Sequence, residues 1–222
     1  MIQSVQVIGA GRVGSAVAAR LAERGVDLDA PAPELVVLCV PDTAIAEVAA
    51  AIEPGPWVAH VSGATPLAAL EPHERRFSLH PLQSFDRSGS PAQLDGVWAA
   101  ITGETADALA VARELAETLG LRPFELADDD RTLYHAGAVF ASNFLVTLQR
   151  IAARLVCAAG APPEALVPLI RSTVENGFEL TGPVQRGDWQ SVERQRAAIA
   201  AAAPDLRPVF DALVAATAEV AA

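Results

Sequence analysis

Directly after a short apolar run at 5–8 the chain reads Gly9-Ala10-Gly11-Arg12-Val13-Gly14, and directly after that comes an alanine-rich segment with helical spacing. A Gly-x-Gly-x-x-Gly match alone is a weak signal, but between a strand and a helix its glycines have defined uses. The first permits a tight turn, the second a close approach of backbone to a pyrophosphate, and the third close helix–strand packing, so the helix N-terminus can receive the phosphates. This feature constrains the chain to a Rossmann-type unit in which Gly9, Ala10, Gly11, Arg12, Val13 and Gly14 hold NADP or NAD. A glycine-rich turn without a ligand is the competing reading.

The rest of the first two-thirds supports that unit. Apolar runs at 35–40, 57–61, 77–79, 97–101 and 122–125 alternate with helical patterns at 13–24, 43–52 and 106–119, the arrangement of a parallel sheet flanked by helices. Asp42 or Thr43 is the expected cap of the second helix. The usual second strand, which should end in an acidic residue about 20 residues past the glycines, is abbreviated. Only Gly25-Val26-Asp27-Leu28-Asp29 precedes the proline-bearing link Ala30-Pro31-Ala32-Pro33. Asp29 is the best acidic candidate for the ribose, and the choice between NAD and NADP stays open. After Glu125 the pattern is helical only. The expected fold is therefore α/β, with a Rossmann-type parallel sheet domain (abbreviated second strand-helix unit) at 1–127 and an all-helical domain at 128–222.

Charge and composition exclude several classes. The formal net charge of -11 disfavours nucleic acid and anionic membrane surfaces as partners, because both demand clustered cations. The sequence contains no lysine, so all 16 basic side chains are arginines. Schiff-base chemistry, a P-loop lysine and a lysine general acid are thereby excluded, since arginine does not give up its proton at neutral pH. Cys39 and Cys157 lack metal-ligand spacing and read as reduced packing residues. No export signal precedes the first strand, and the most apolar stretch, 136–148, is too short and too polar to span a bilayer. A cytoplasmic protein is expected.

Candidate chemistry falls at the carboxyl ends of the strands, where open α/β sheets bind ligands. Val40-Pro41-Asp42 flanks the cofactor position there. Ser62-Gly63-Ala64 offers a hydroxyl and amides for a substrate oxygen, or else a helix cap. His80, in His80-Pro81-Leu82-Gln83-Ser84-Phe85, can donate a proton near neutral pH, or else is a surface or capping residue. On the long helix, at about 100° per residue, Ser142 lies within roughly 20° and Asn143 within roughly 80° of His135, so the three share a face and Tyr134 is left to packing. Polar residues in so apolar a helix are costly to bury unpaired, which favours a cleft, although an interhelical hydrogen bond would also serve. Arg186, in Arg186-Gly187-Asp188, reads chiefly as part of a helix junction, and His60 and His73 belong to no constellation.

Taken together, Gly9 to Gly14, His80 to Phe85, YHAGAVFASNFLVTL at 134–148 and TGPVQRGD at 181–188 give a resemblance over nearly the whole chain. It resembles the bacterial Rossmann-like proteins with a C-terminal helical domain of unknown function, relatives of the 6-phosphogluconate dehydrogenase, pyrroline-5-carboxylate reductase and ketopantoate reductase superfamily. The resemblance implies NAD(P) binding in the first domain, a helical second domain that makes a homodimer, and a small-molecule substrate. Several relatives carry a lysine four residues before an asparagine; the matching positions here are Val139 and Asn143, so the asparagine is kept and the lysine is not. The expectation is reduction of a small carbonyl or imine acid, with a ketopantoate-like 2-oxo acid as the most specific form. In it His80 or His135 supplies the proton, and Asn143 with Ser62 orients the substrate. A non-catalytic dinucleotide-binding or sensing protein is the alternative.

Overall fold

The computed structural model describes residues 2–221, in two compact units that meet in sequence at Ser142 and Asn143. The first is built on six strands: β1 (Val5–Ile8), β2 (Leu35–Leu38), β3 (Trp57–His60), β4 (Arg76–Pro81), β5 (Trp98–Thr102) and β6 (Arg122–Glu125), adjacent in that order. β1 to β4 run parallel, so residues 9, 40, 62 and 82 all leave the same edge of the sheet. β2 reads Leu-Val-Val-Leu and is buried throughout, as a strand covered on both faces must be.

One pair departs from the expected parallel sheet: β5 is antiparallel to β4, in the register Ser78 to Thr102. A parallel return needs a crossover of a dozen or more residues, usually a helix. The link 82–97 carries only a 3₁₀ turn at Pro91–Leu94, so the chain folds back beside β4. β6 is parallel to β5 because helix α3 (Ala106–Thr118) crosses between them. Thr105 caps α3 by accepting from the Ala108 amide at 3.1 Å, and Gly120 turns the chain beyond it at φ +81°.

The abbreviated second unit is as the sequence predicts. A single parallel bridge joins Ser4 and Asp27, with the Val5 amide donating to the Asp27 carbonyl and the Asp27 amide to the Gln3 carbonyl, both at 2.9 Å. Pro31 and Pro33 cannot continue such a ladder, and β2 follows at once. The helix α2 (Ile45–Ala50) is preceded by a 3₁₀ turn at Asp42–Ala44, and no side chain caps either, contrary to the cap expected from Asp42 or Thr43.

Helix α1 (Arg12–Glu23) lies close against the sheet because two glycines allow it. A Cβ on Gly14 would stand 1.9 Å from the Gly9 carbonyl oxygen, and one on Gly9, at φ +112°, would stand 2.3 Å from the Cys39 carbonyl oxygen. At the far end of α1, buried Arg20 donates to the Leu119 and Pro91 carbonyls and to Asp95.

The strands end before residue 128, but the first unit continues through helix α4 (Arg131–Val139). A π-helical turn at Phe140–Phe144 follows, then α5 (Leu145–Ala158). The helical stretch from Asp128 to Ala158 thus runs 31 residues and is long and apolar enough, by length and composition, to cross a membrane. That corrects the length argument made from 136–148 alone; what ties its first turns to a protein core is Arg131, 1% exposed. The second unit adds α6 (Leu166–Glu175), α7 (Trp189–Ala202) and α8 (Arg207–Val220). Its small core joins Ile199, Ala203 and Leu206 to Ile151, Leu155, Val209 and Phe210, and Arg154 forms a paired contact with Asp205 at 2.6 and 2.7 Å.

Gly14→Ala must push the loop off the helix and should cost about 1–3 kcal/mol in denaturant unfolding. Gly137→Ala, inside α4 where a Cβ would meet nothing within 4 Å, should instead stabilise by roughly 0.5–1 kcal/mol.

Candidate active site at the carboxyl edge of the sheet

The phosphate loop is open where its motif requires. Gly11 is the N-cap of α1, and an added Cβ there would meet nothing within 4 Å. No side chain caps the helix, and its first turn carries no acidic residue, so the leading amides and the positive end of the helix dipole face an unobstructed space. Arg12 donates to the Phe85 carbonyl at 3.4 Å, which brings the segment after β4 beside the loop. Asp29 is exposed in a local turn, its amide bonded to Asp27 Oδ1 at 2.9 Å. The donor set fits a dinucleotide pyrophosphate, whereas the ribose side offers only the short segment around Asp27.

Further along the same sheet edge, on β3, β4 and α4, stand three histidines and the only tyrosine of the chain. His80 comes from β4, His60 from the end of β3, and Tyr134 and His135 from α4. The Tyr134 hydroxyl lies 2.9 Å from His80 Nδ1, and the rings of His80 and His135 are 6.1 Å apart. Gly63 fits against both imidazoles: a Cβ there would stand 2.9 Å from His80 Nε2 and 2.7 Å from His135 Cδ2. The structure therefore brings His80 and His135, named as alternative proton sources, next to each other. It also corrects the reading of Tyr134, which is a hydrogen-bond partner of His80 and not merely a packing residue.

Electrostatics revise the role of His80. Burial, with the charges of His135 and Arg131 adding to it, lowers its pKa to about 4, against a smaller opposing pull from Asp42. At neutral pH it is an uncharged imidazole that donates from one nitrogen. His60 is fully buried and, chiefly through burial and then the charge of Arg131, falls to about 3; its Nδ1 accepts the Ser62 amide at 3.2 Å. Burial raises the Cys39 thiol to about 12, which removes it as a nucleophile.

The side chain that assembles these pieces is Arg131, which the sequence reading did not single out. Its guanidinium donates to the carbonyls of Ser62 and Thr65 (2.8 Å for the latter) and to the hydroxyls of Ser78 and Thr102 (3.0 Å for the latter), with Asp128 3.8 Å away. Its pKa is lowered, by burial first. Arg131 and Tyr134 are one helical turn apart, and that spacing behind Asp128-Asp129-Asp130 was the available sequence signal.

Of the two readings of Ser62, its hydrogen bonds match the capping one. Its hydroxyl donates to Thr65 Oγ1 at 2.9 Å and accepts the amides of Ala64 and Thr65, so its one hydrogen is committed to the turn. The shared face of His135, Ser142 and Asn143 presumed an uninterrupted α-helix; the π turn at Phe140–Phe144 shifts that register. Asn143 opens the second unit, exposed, with its carbonyl accepting the Thr147 hydroxyl at 3.2 Å. His73 holds the Ala49 carbonyl at 2.9 Å. No group of three metal-ligating side chains occurs among the described residues.

Sheet order, glycine loop and helical C-terminal region define a Rossmann-type protein. The chain belongs to the family described as a domain of unknown function, DUF2520, whose model matches residues 97–217. Among solved structures it is similar over 98% of both chains to BF3122 of Bacteroides fragilis, a suggested NADP oxidoreductase, at 21% identity and TM-score 0.81. Protein TM1727 of Thermotoga maritima is similar over the same 98% of both, at 27% identity and TM-score 0.79. A reductive aminase of Aspergillus terreus, solved with NADPH and ethyl levulinate, matches 98% of this chain with 93% of its own at 16% identity and TM-score 0.65. No curated protein sequence matches the chain.

The depressed histidines couple folding to pH. Their ordinary value is 6.5, and the folded values are about 3 for His60 and about 4 for His80, so between these limits the unfolded chain binds protons that the native one refuses. Stability should fall as pH drops from 6.5 toward 4, with these two residues contributing a slope that approaches ~2 protons. Denaturant unfolding of His60→Asn and His80→Asn across that window should each show a slope lower by about one proton.

Proposed function

We propose that this protein is an NAD(P)-dependent reductase of a small carbonyl or imine acid, a ketopantoate-like 2-oxo acid being the most specific form. The observation that carries the reading is the pairing of an open phosphate loop at Gly11 with a neutral, hydrogen-bonded imidazole at His80 on the same sheet edge. Gly9, Ala10, Gly11, Arg12, Val13 and Gly14 hold the pyrophosphate, with Val40, Pro41 and Asp42 lining the next strand end. The nicotinamide, when bound, supplies hydride. His80 donates a hydrogen bond and then a proton to the substrate oxygen or nitrogen, and His135 flanks it. The similarity to a reductive aminase solved with NADPH and a keto ester supports this class of chemistry.

The helical unit serves self-association in this reading. Val167, Leu169, Val174 and Phe178 are each more than half exposed, an apolar surface that a second copy of the chain would cover. The protein acts as a cytoplasmic homodimer. A second reading, a non-catalytic dinucleotide sensor, draws on the lack of any lysine and on the single bridge that replaces the second strand.

Calorimetric titration of the wild type with NADPH and NADH should show saturable binding, and Gly11→Asp, which sets a carboxylate against the pyrophosphate, should weaken it at least ~10-fold. An absence of binding at millimolar cofactor contradicts both readings. Oxidation of the bound dinucleotide by 2-oxo acids or cyclic imines separates the reductase from the sensor.

A further inference from the structure

We propose that Tyr134 is the proton reservoir of this site: its hydroxyl, 2.9 Å from His80 Nδ1, fixes the imidazole hydrogen on Nε2 and replaces it when Nε2 donates to a bound substrate. The proposal rests on the reductase reading for the destination of the proton, but the tautomer it requires is a property of the protein alone.

The hydrogen bond can run in either of two directions, and they differ in which hydrogen is left for a substrate. With the hydrogen on Nδ1, the phenol accepts, and Nε2 has nothing to donate. With donation from the phenol, the hydrogen that has no described partner is the one on Nε2, which is the donor that the reductase reading requires. The two rings meet edge-on, 5.6 Å between centroids at 86°, and Phe124 also packs edge-on against the tyrosine at 5.9 Å, which helps to hold the phenol in place. Nε2 makes no hydrogen bond to any described residue, and glycine at 63 keeps a side chain from standing against it.

The proton balance closes without another group. When the substrate carbon receives hydride from the nicotinamide, the electron pair of its C=O or C=N bond collects on oxygen or nitrogen. That atom takes the proton from Nε2, Nδ1 takes the proton from the Tyr134 hydroxyl, and the imidazole stays neutral throughout. The charge ends on the phenolate, one turn from the Arg131 guanidinium, and water restores the phenol after release. An imidazole acid with no such partner would have to be an imidazolium, and the site opposes one: His135, Arg131 and His60 all lie near enough to disfavour the charge, with Asp42 alone favouring it. Burial likewise holds the free phenol up at about 12, so the reservoir is full at neutral pH, while an alkoxide product is a stronger base still and can draw on it.

Because Tyr134 is the only tyrosine, the full chain offers a clean test. With ¹⁵N-labelled histidine and no cofactor, nuclear magnetic resonance at pH 7 should find His80 bare at Nδ1 and protonated at Nε2. Tyr134→Phe should mix the two tautomers. Hydrogen on Nδ1 in the wild type, or unchanged tautomers in the variant, overturns the proposal. Should Tyr134→Phe lose its fold, growth on 3-fluorotyrosine keeps the ring. Its single fluorine resonance should then move as His80 protonates near pH 4, and a resonance indifferent to that titration overturns the proposal. On a carbonyl or imine that the protein reduces, Tyr134→Phe should lower kcat by ~10²–10⁴-fold with KM little changed. An unaltered kcat removes the reservoir role. Failure to bind NADPH would instead sink the reductase reading, and with it the proton's destination, while the tautomer assignment is judged on its own spectrum.

Discussion

A single buried guanidinium organises the candidate site at the carboxyl edge of the sheet. Removing Arg131 from water carries a penalty of several kcal/mol, which is offset only where nearly every N–H finds an acceptor. Here the acceptors are the Ser62 and Thr65 carbonyls and the Ser78 and Thr102 hydroxyls, drawn from the turn after β3, from β4 and from β5. One side chain at the start of α4 therefore fixes the turn that carries Gly63, the strand that carries His80 and the helix that carries Tyr134 and His135. Its charge also helps to hold His60 and His80 in the neutral form. Fixing this geometry and suppressing the imidazolium are one and the same interaction.

The phosphate loop is a second, separate constraint, and it is steric. Gly9 and Gly14 are excluded from bearing side chains by backbone contacts, whereas Gly11 is excluded by nothing in the protein. A glycine kept clear on its outer face, at the N-cap of a helix without capping or acidic side chains, is what an approaching pyrophosphate requires. The other half of the usual dinucleotide cradle is reduced to the bridge at Asp27, so the account places most of the binding energy on the phosphates.

What was legible in the sequence followed from local physics. The glycine spacing, the unbroken apolar run of β2 and the Pro31/Pro33 interruption each act within a few residues, and each gave the right structure. The antiparallel turn of β5 was missed because apolar runs carry no direction; only the lack of a helix between residues 82 and 97 hinted at it. Arg131, and the bond from Tyr134 to His80, were missed because the partners are remote in sequence: Ser78 and His80 lie over 50 residues away. The angles given to His135, Ser142 and Asn143 assumed α spacing throughout, and a local π turn that no residue pattern announced changes them. Ser62 was correctly placed at a strand end, but its hydroxyl serves the turn itself.

The central claim, that this edge receives a dinucleotide through the Gly9 to Gly14 loop, is tested most directly by amide chemical shifts during a titration with NADPH. The account predicts saturable shifts centred on Gly11, Arg12 and Val13, with smaller ones at residues 40–42 and around Gly63. Saturable shifts confined to other parts of the molecule, or none, would contradict it.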